Sequence, residues 1–250
     1  MPDLQLLNNI THKDLRVTPH YGAQYGDNIG SVQVFPSEFE ALHKEYPVLL
    51  RRHSEKGLQA VALLGISSGE NLYLSEHYAN PPSAGSWMAR YVPGILAKGP
   101  FLIGYQEQNG IRNAVVHVDM SHPKIVQDTA LSGQQIFLPQ GGESDYLQNI
   151  ANILNQLHQG QDEATSFYNA LDELNLLTPV NLSITLKSGD KVSVQGHETI
   201  CTETFASLPG EVMAQLHKKG WLAYIFYLQN ALSNVAWLID MKNALEYTRR

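Results

Sequence analysis

The segment 60–74, A-V-A-L-L-G-I-S-S-G-E-N-L-Y-L, constrains the fold of this chain more than any other stretch. It places a short apolar run, 60–64, before a glycine-bounded turn and a second apolar run. Apolar runs this short, bounded by glycine, are typical of buried strands, whereas helices need about ten or more residues. The segment therefore predicts two strands joined by a tight connection.

The composition and the hydrophobic patterns of the chain change near residue 141. Residues 1–141 are rich in glycine, proline and short apolar runs, which predict a mixed or antiparallel sheet. Residues 142–250 have mainly helical patterns around one β-hairpin, whose turn falls at residues 188–190. This order favours an α+β fold over a doubly wound parallel sheet. No linker is long or polar enough to force a boundary, so residues 1–250 are predicted to form a single domain.

Two helices are predicted in the region 144–177. Ser144 is a residue type that caps helix N-termini, and apolar residues follow it at three-four spacing. These residues are Leu147, Ile150, Leu154 and Leu157. Gly160 is expected to end the first helix, and the second is expected to cover residues 162–177.

The most apolar stretch lies near the C-terminus, at residues 221–241, and is about as long as a bilayer span. Asp240 and several amide side chains interrupt it, and a carboxylate is costly in hydrocarbon. Its apolar residues form one helical stripe, made of Ile225, Leu228, Leu232, Val235 and Ile239. We therefore expect a core helix of a soluble protein.

The charge and cysteine content exclude several functional classes. A net charge of −7 gives no whole-chain field that would attract nucleic acid or anionic lipid. The single cysteine, Cys201, excludes an internal disulfide and a multi-cysteine zinc site. The N-terminus shows no recognisable secretion signal, so a cytoplasmic location without a membrane span is expected. No cofactor is implied.

His117 and Asp119 are candidate ligands of a metal site. On a strand, their side chains point to the same face, and this pair matches two ligands of an iron site of the 2-oxoglutarate-dependent oxygenase kind. A distant histidine, His20, His77 or His197, would complete the site. The favoured interpretation is that Asp119 caps the following turn, because such a spacing arises easily by chance among 10 histidines.

The sequence G-I-S-S-G fits the pattern of a nucleophile elbow, with Ser67 as the nucleophile. Asp119 with His122 or His197 follows in the chain order of a hydrolase triad. The elbow needs a helix directly after the serine, and residues 70–78 show no helical stripe. A glycine-flanked turn is therefore the favoured interpretation.

A binding site is predicted at the strand end that follows Gly69. Glu70 and Asn71 form a polar pair there, and Trp87, Arg90 and Tyr91 form an aromatic, cationic loop nearby in the chain. Strand ends and loops are where binding residues concentrate. For Glu70 and Asn71 taken alone, the favoured interpretation is that both side chains cap free backbone groups of a turn.

Motifs spread over nearly the whole chain resemble those of one bacterial family, the SapC-like proteins. They are the segment 62–73, Tyr21-Gly22, Tyr46-Pro47, Trp87 with Tyr91-Val92-Pro93, Pro100-Phe101, Asp119 with Ser121 and Pro123, and His217 with Gly220. The resemblance implies a role beside surface-layer or TonB-linked uptake systems, and it supplies no catalytic residue. His122 departs from the family pattern, because it stands between the serine and the proline.

These observations favour a non-catalytic, cytoplasmic binding or accessory protein of a surface-layer or uptake system. It is expected to bind a partner protein or a small ligand, and no nucleic acid. The alternative is an enzyme, either an oxygenase using His117 and Asp119 or a hydrolase using Ser67.

Overall fold

The computed structural model describes residues 2–67, 69–78, 85–108, 111–126 and 133–248. Its strands are β1 (Leu4–Leu6), β2 (Arg16–Val17), β3 (Ser31–Val34), β4 (Val48–His53), β5 (Gly57–Leu63), β6 (Phe101–Gln108), β7 (Ile111–Asp119), β8 (Gln134–Gln135), β9 (Leu177–Thr185) and β10 (Lys191–Ile200). Its helices are α1 (Phe39–Leu42), α2 (Gly94–Ala97), α3 (Asp145–Glu173), α4 (Thr202–Ala206), α5 (Gly210–Lys218), α6 (Trp221–Ala231) and α7 (Val235–Thr248). The fold is α+β, and its strand pairs are antiparallel.

The larger sheet has five strands in the order β3-β5-β4-β10-β9. Strand β5 contains the apolar run that opens the segment 60–74, and Ala60 and Ala62 are fully buried in it. The C-terminal hairpin β9–β10 joins this sheet through a pairing of Glu198 with Leu50. Strands from both halves of the sequence therefore share one sheet. The single-domain organisation stays a prediction.

A second, smaller sheet has the order β1-β7-β6, and β2 pairs with β8. The strands β6 and β7 pair as an antiparallel hairpin, and residues 109–110 between them lie outside the described residues. Buried side chains form two clusters, one around the five-stranded sheet and one around the three-stranded sheet. Helix α3 packs Leu154 into the smaller cluster and Phe167 into the larger one, and so joins them.

The prediction that Gly160 ends a helix is wrong. Helix α3 continues through this position for 29 residues. A Cβ atom at Gly160 would lie 2.7 Å from the Ser37 Oγ atom and 2.9 Å from the Phe35 Cβ atom. Glycine therefore allows the helix to approach the segment after β3 closely. It does not stop the helix.

The second apolar run of the segment 60–74 is not a strand. After β5, the chain forms a hydrogen-bonded turn. The Leu72 amide donates to the Leu64 carbonyl, and the Tyr73 amide donates to the Asn71 side chain. Only Leu74 makes a β-bridge, with Trp87. Side-chain capping by Asn71 competes with strand pairing here.

The C-terminal stretch packs one face into the larger core. The region 221–247 is long and apolar enough to cross a membrane by length and composition, and 28% of its most apolar window is buried. A 3₁₀ turn at Leu232–Asn234 shifts the helical phase. Beyond it, Leu238 and Met241 are buried in addition to Val235, whereas the predicted stripe residue Ile239 is only partly buried.

Candidate functional site

Charged and polar side chains converge on a cavity of about 210 Å³ between the loop before β3, helix α2 and the turn after β7. Those that matter chemically are Tyr25, Asp27, Lys98, Asp119, His122 and Lys124. Cavities of this size hold a few water molecules or one small polar group. Clusters of ionisable groups in a cleft are candidates for functional sites.

Lys98 is placed by helix α2, which it follows directly. The helix is fixed at its start by buried Glu38, whose carboxylate accepts a hydrogen bond of 2.8 Å from the Gly94 amide. The Lys98 ammonium donates to the carbonyls of Gly99, at 3.5 Å, and Phe101, at 3.2 Å. No carboxylate lies within ion-pair distance of it among the described residues.

The ionisation of Lys98 reflects this environment. Burial lowers its pKa, and the charge of Asp119 opposes the shift. A half-buried ammonium that contacts only neutral carbonyls gains from any anion placed beside it.

His122 presents a hydrogen-bond donor at the cavity. Its Nδ1 atom accepts a hydrogen bond of 3.1 Å from the Lys124 amide, so this atom carries no proton. In the neutral ring the proton is therefore on Nε2, which can donate. The pKa of His122 is lowered by burial and then by the charges of Lys124 and Lys98.

Lys124 and Asp27 form a buried ion pair beneath the cavity. Their atoms are 3.1 Å apart and each side chain is 5% exposed. The Lys124 ammonium also lies 4.0 Å from the centre of the Tyr21 ring. Burial lowers the pKa of Lys124 and raises the pKa of Asp27, although each partner opposes the shift of the other. Removing both charges from water costs solvation free energy, and their mutual attraction opposes that cost.

Asp119 acts as the cap of a turn, as the favoured interpretation of the sequence holds. Its carboxylate accepts hydrogen bonds from the Asp3 amide, at 3.0 Å, and from the Ser121 amide and hydroxyl, at 3.0 and 2.6 Å. These bonds, led by the Ser121 hydroxyl, lower its pKa. Its charge is largely satisfied within the turn.

The predicted metal pair is not extended to a ligand set. His117 faces Gly104, where a Cβ atom would lie 2.3 Å from the His117 Nδ1 atom. Throughout the described residues, no group of three or more histidine, cysteine, aspartate or glutamate side chains is arranged to hold a metal ion. None of His20, His77 and His197 therefore completes the site.

Ser67 and His197 line a different cavity, of about 310 Å³, together with Arg51. The His197 Nδ1 atom donates 2.9 Å to the Gln195 carbonyl, and burial lowers the His197 pKa. No helix begins directly after Ser67 in the described residues, where the next helical segment is a 3₁₀ turn at Ser75–His77. Ser68 lies outside the described residues. The geometry agrees with the favoured interpretation, a glycine-flanked turn, and the hydrolase alternative stays a prediction.

The five predicted binding residues do not converge on either cavity. Glu70 pairs with Lys242 at 2.5 Å, and Arg90 lies 3.5 Å from Glu45 with a side chain that is 83% exposed. Trp87 donates 2.6 Å to the hydroxyl of Tyr46. The ligand-binding role of these residues stays a prediction.

Two of these residues support the site indirectly. Asn71 is fully buried and its amide donates 2.7 Å to the carbonyl of Asp27, so it positions the buried ion pair. The Tyr91 hydroxyl donates 3.0 Å to the carboxylate of Glu38, which fixes helix α2 and thereby Lys98.

The sequence interpretation missed Lys98, Lys124 and Asp27. Isolated lysines are ordinarily solvent-exposed, and nothing in their spacing shows that distant elements bury them. The sequence signal that could have indicated these residues is their position beside family motifs. Lys98 precedes the Pro100-Phe101 motif, and His122 interrupts the motif that contains Asp119.

One comparison with known proteins finds a match, and it covers most of the chain. The SapC family model matches residues 7–238. No curated protein matches the chain, and no solved structure matches it.

Proposed function

The chain belongs to the SapC family, and from that premise we propose that it is a binding protein whose ligand carries an anionic group recognised by Lys98 and His122. The observation that carries this proposal is the Lys98 ammonium, which contacts two carbonyl oxygens and no carboxylate at ion-pair distance within the described residues. A carboxylate or phosphate oxygen would supply the missing charge and a charge-assisted hydrogen bond.

His122 supports the same ligand chemistry. Its Nε2 proton would donate to an anion beside Lys98, since both side chains line the same cavity. The Lys124 ammonium stays paired with Asp27, so Lys98 is the lysine of this cavity that is available to an anion. Lys98 and His122 would therefore both donate hydrogen bonds, and such a site favours a ligand with acceptor oxygens.

The geometry favours binding over catalysis. A general base needs a free lone pair, and the lone pair of His122 Nδ1 accepts the Lys124 amide proton. The Oδ1 atom of Asp119 accepts three hydrogen bonds, and the lowered pKa of this carboxyl makes it a weak base. Neither group is placed to remove a proton from a bound molecule.

The proposed setting is a surface-layer or TonB-linked uptake system, in which the protein acts as a cytoplasmic accessory factor. Arg90, one of the predicted binding residues, has a side chain that is 83% exposed and accessible to a partner protein. We expect Arg90→Glu to lose capture of a surface-layer subunit or uptake receptor, identified by mass spectrometry of material co-purified from the native cell. Lys218→Glu is the matched control, and equal capture by both variants contradicts the partner site.

The anion site is tested by an NMR titration of ¹⁵N-labelled protein with sodium acetate, and separately with inorganic phosphate, at constant ionic strength. We expect saturable shifts in the amides near Lys98 and His122. Lys98→Gln should weaken binding by about tenfold or more, because a hydrogen bond to a charged group is lost. Lys218→Gln, on the exposed surface of α5, should bind as the wild type does. Identical binding by the Lys98→Gln variant removes the proposal.

A further inference from the structure

A larger cavity, of about 520 Å³, adjoins the one that contains Lys98. Ile95, Lys98 and Leu102 line both cavities, so the two spaces meet at these residues. The larger cavity runs between strand β6 and helix α3, which contribute Ile103, Leu154 and Leu157 to its wall. We refer to the two neighbouring cavities together as the groove, and Lys98 is a charged residue that borders both of them.

The groove has an apolar floor and a polar rim. Phe35, Leu154 and Leu157 form part of the floor and are each less than 9% exposed. At the rim, the Tyr105 hydroxyl lies 2.7 Å from the His158 Nε2 atom. Gln161 and Asp162 also line this cavity, so its wall is part apolar and part polar. An apolar wall beside a cation matches a molecule with an anionic head and a hydrocarbon tail.

We propose that the ligand is an unbranched acyl carboxylate, whose head lies between Lys98 and His122 and whose chain lies between β6 and α3. This inference rests on the proposed anion site and adds the chemistry of the rest of the ligand. Charge complementarity selects the head, because Lys98 has only carbonyl partners. The floor selects the chain, since buried methylenes gain free energy by leaving water.

The wild-type protein provides the first test. Calorimetric titration with acetate, butyrate, hexanoate and octanoate should show affinity that rises roughly threefold for each added methylene. Octanoate should also bind about tenfold more tightly than octanol, which has the same chain and no charge. Equal affinity for acetate and octanoate overturns the acyl inference and leaves the anion site intact. No saturable binding of any of the carboxylates overturns both.

Variants then locate the bound chain. Ile103→Gln, in the wall of the larger cavity only, should reduce the ratio of octanoate to acetate affinity. Lys98→Gln should remove the preference for octanoate over octanol. Phe226→Gln, at a side chain on α6 that is 46% exposed, is the matched control for adventitious apolar binding and should leave octanoate affinity unchanged. Loss of octanoate binding in the control, with none in Ile103→Gln, overturns the proposed placement.

Discussion

At the scale of single residues, the pair of Lys124 and Asp27 holds the turn after β7 against the loop before β3. It is buried, and one of its partners is held by Asn71 through the Asp27 carbonyl. The directions of both pKa shifts show that burial opposes ionisation of each group. The pair therefore specifies which segments meet more than it stabilises the fold.

Removing one partner of this pair should be costly. Asp27→Asn leaves the Lys124 ammonium buried without a counter-charge, and we expect the free energy of unfolding to fall by about 3 kcal/mol. Urea denaturation measures it. In the exposed pair Lys13–Asp14, whose side chains are 71% and 85% exposed, Asp14→Asn should cost less than about 0.5 kcal/mol. Equal effects of the two substitutions would show that the buried pair is dispensable.

His122 makes stability depend on pH. Because its pKa is lowered in the folded protein, the unfolded chain takes up the proton first as the pH falls below about 6.5. The free energy of unfolding should therefore be fully present above that pH and decline as acid is added. His122→Gln should flatten the decline, measured by urea denaturation at several pH values, whereas His217→Gln, on the surface of α5, should keep it. An unchanged decline in His122→Gln contradicts this origin.

Local interactions between side chain and backbone could be predicted from sequence, and long-range burial could not. Ser144 and Asp119 cap as expected, because each bonds to backbone groups within three residues. Lys98 and Lys124 acquire their roles from elements far away in the chain, and no short pattern encodes that.

At the scale of elements, helix α3 depends on its first turn. The Ser144 hydroxyl accepts 3.2 Å from the Leu147 amide and donates 2.6 Å to the Gln135 carbonyl. Ser144→Ala should lower the free energy of unfolding by about 1 kcal/mol. Ser166→Ala, on the exposed face of the same helix, should leave it nearly unchanged or raise it slightly. A harmless Ser144→Ala would rule out the cap as a determinant of the helix.

The connection after β5 depends on a close approach at Gly65. A Cβ atom there would lie 2.2 Å from the Glu70 carbonyl oxygen, so Gly65→Ala must displace the loop backbone. We expect a loss of about 2 kcal/mol or more in thermal or urea unfolding. Gly210→Ala is the control, because nothing lies within 4 Å of its added Cβ atom and it begins α5. Equal stability of the two variants would contradict the contact.

Element types were more predictable than element ends. The alternation around β9 and β10 predicts the hairpin, and three-four spacing predicts α3 up to Leu157. The continuation of α3 through Gly160 depends on packing against Phe35, which the sequence of the helix does not contain. Tertiary contact overrides the local preference of glycine there.

At the scale of the whole molecule, helix α3 couples the two cores. Leu154→Ala should lower stability by about 2 kcal/mol or more through the cavity it leaves in the smaller core. Because the same helix places Phe167 in the larger core, both should unfold in one transition. Circular dichroism and tryptophan fluorescence should therefore give coincident midpoints. Two separated midpoints would show independent units.

We propose that the groove at Lys98 is the ligand site of this SapC-family protein. A crystal structure of the full chain with octanoate is the sharpest test of this proposal. We expect electron density with the carboxylate within hydrogen-bonding distance of the Lys98 ammonium and the His122 Nε2 atom, and with the chain between β6 and α3. Density in the cavity of Ser67 and His197, on the exposed face of α6, or nowhere in the groove would contradict it.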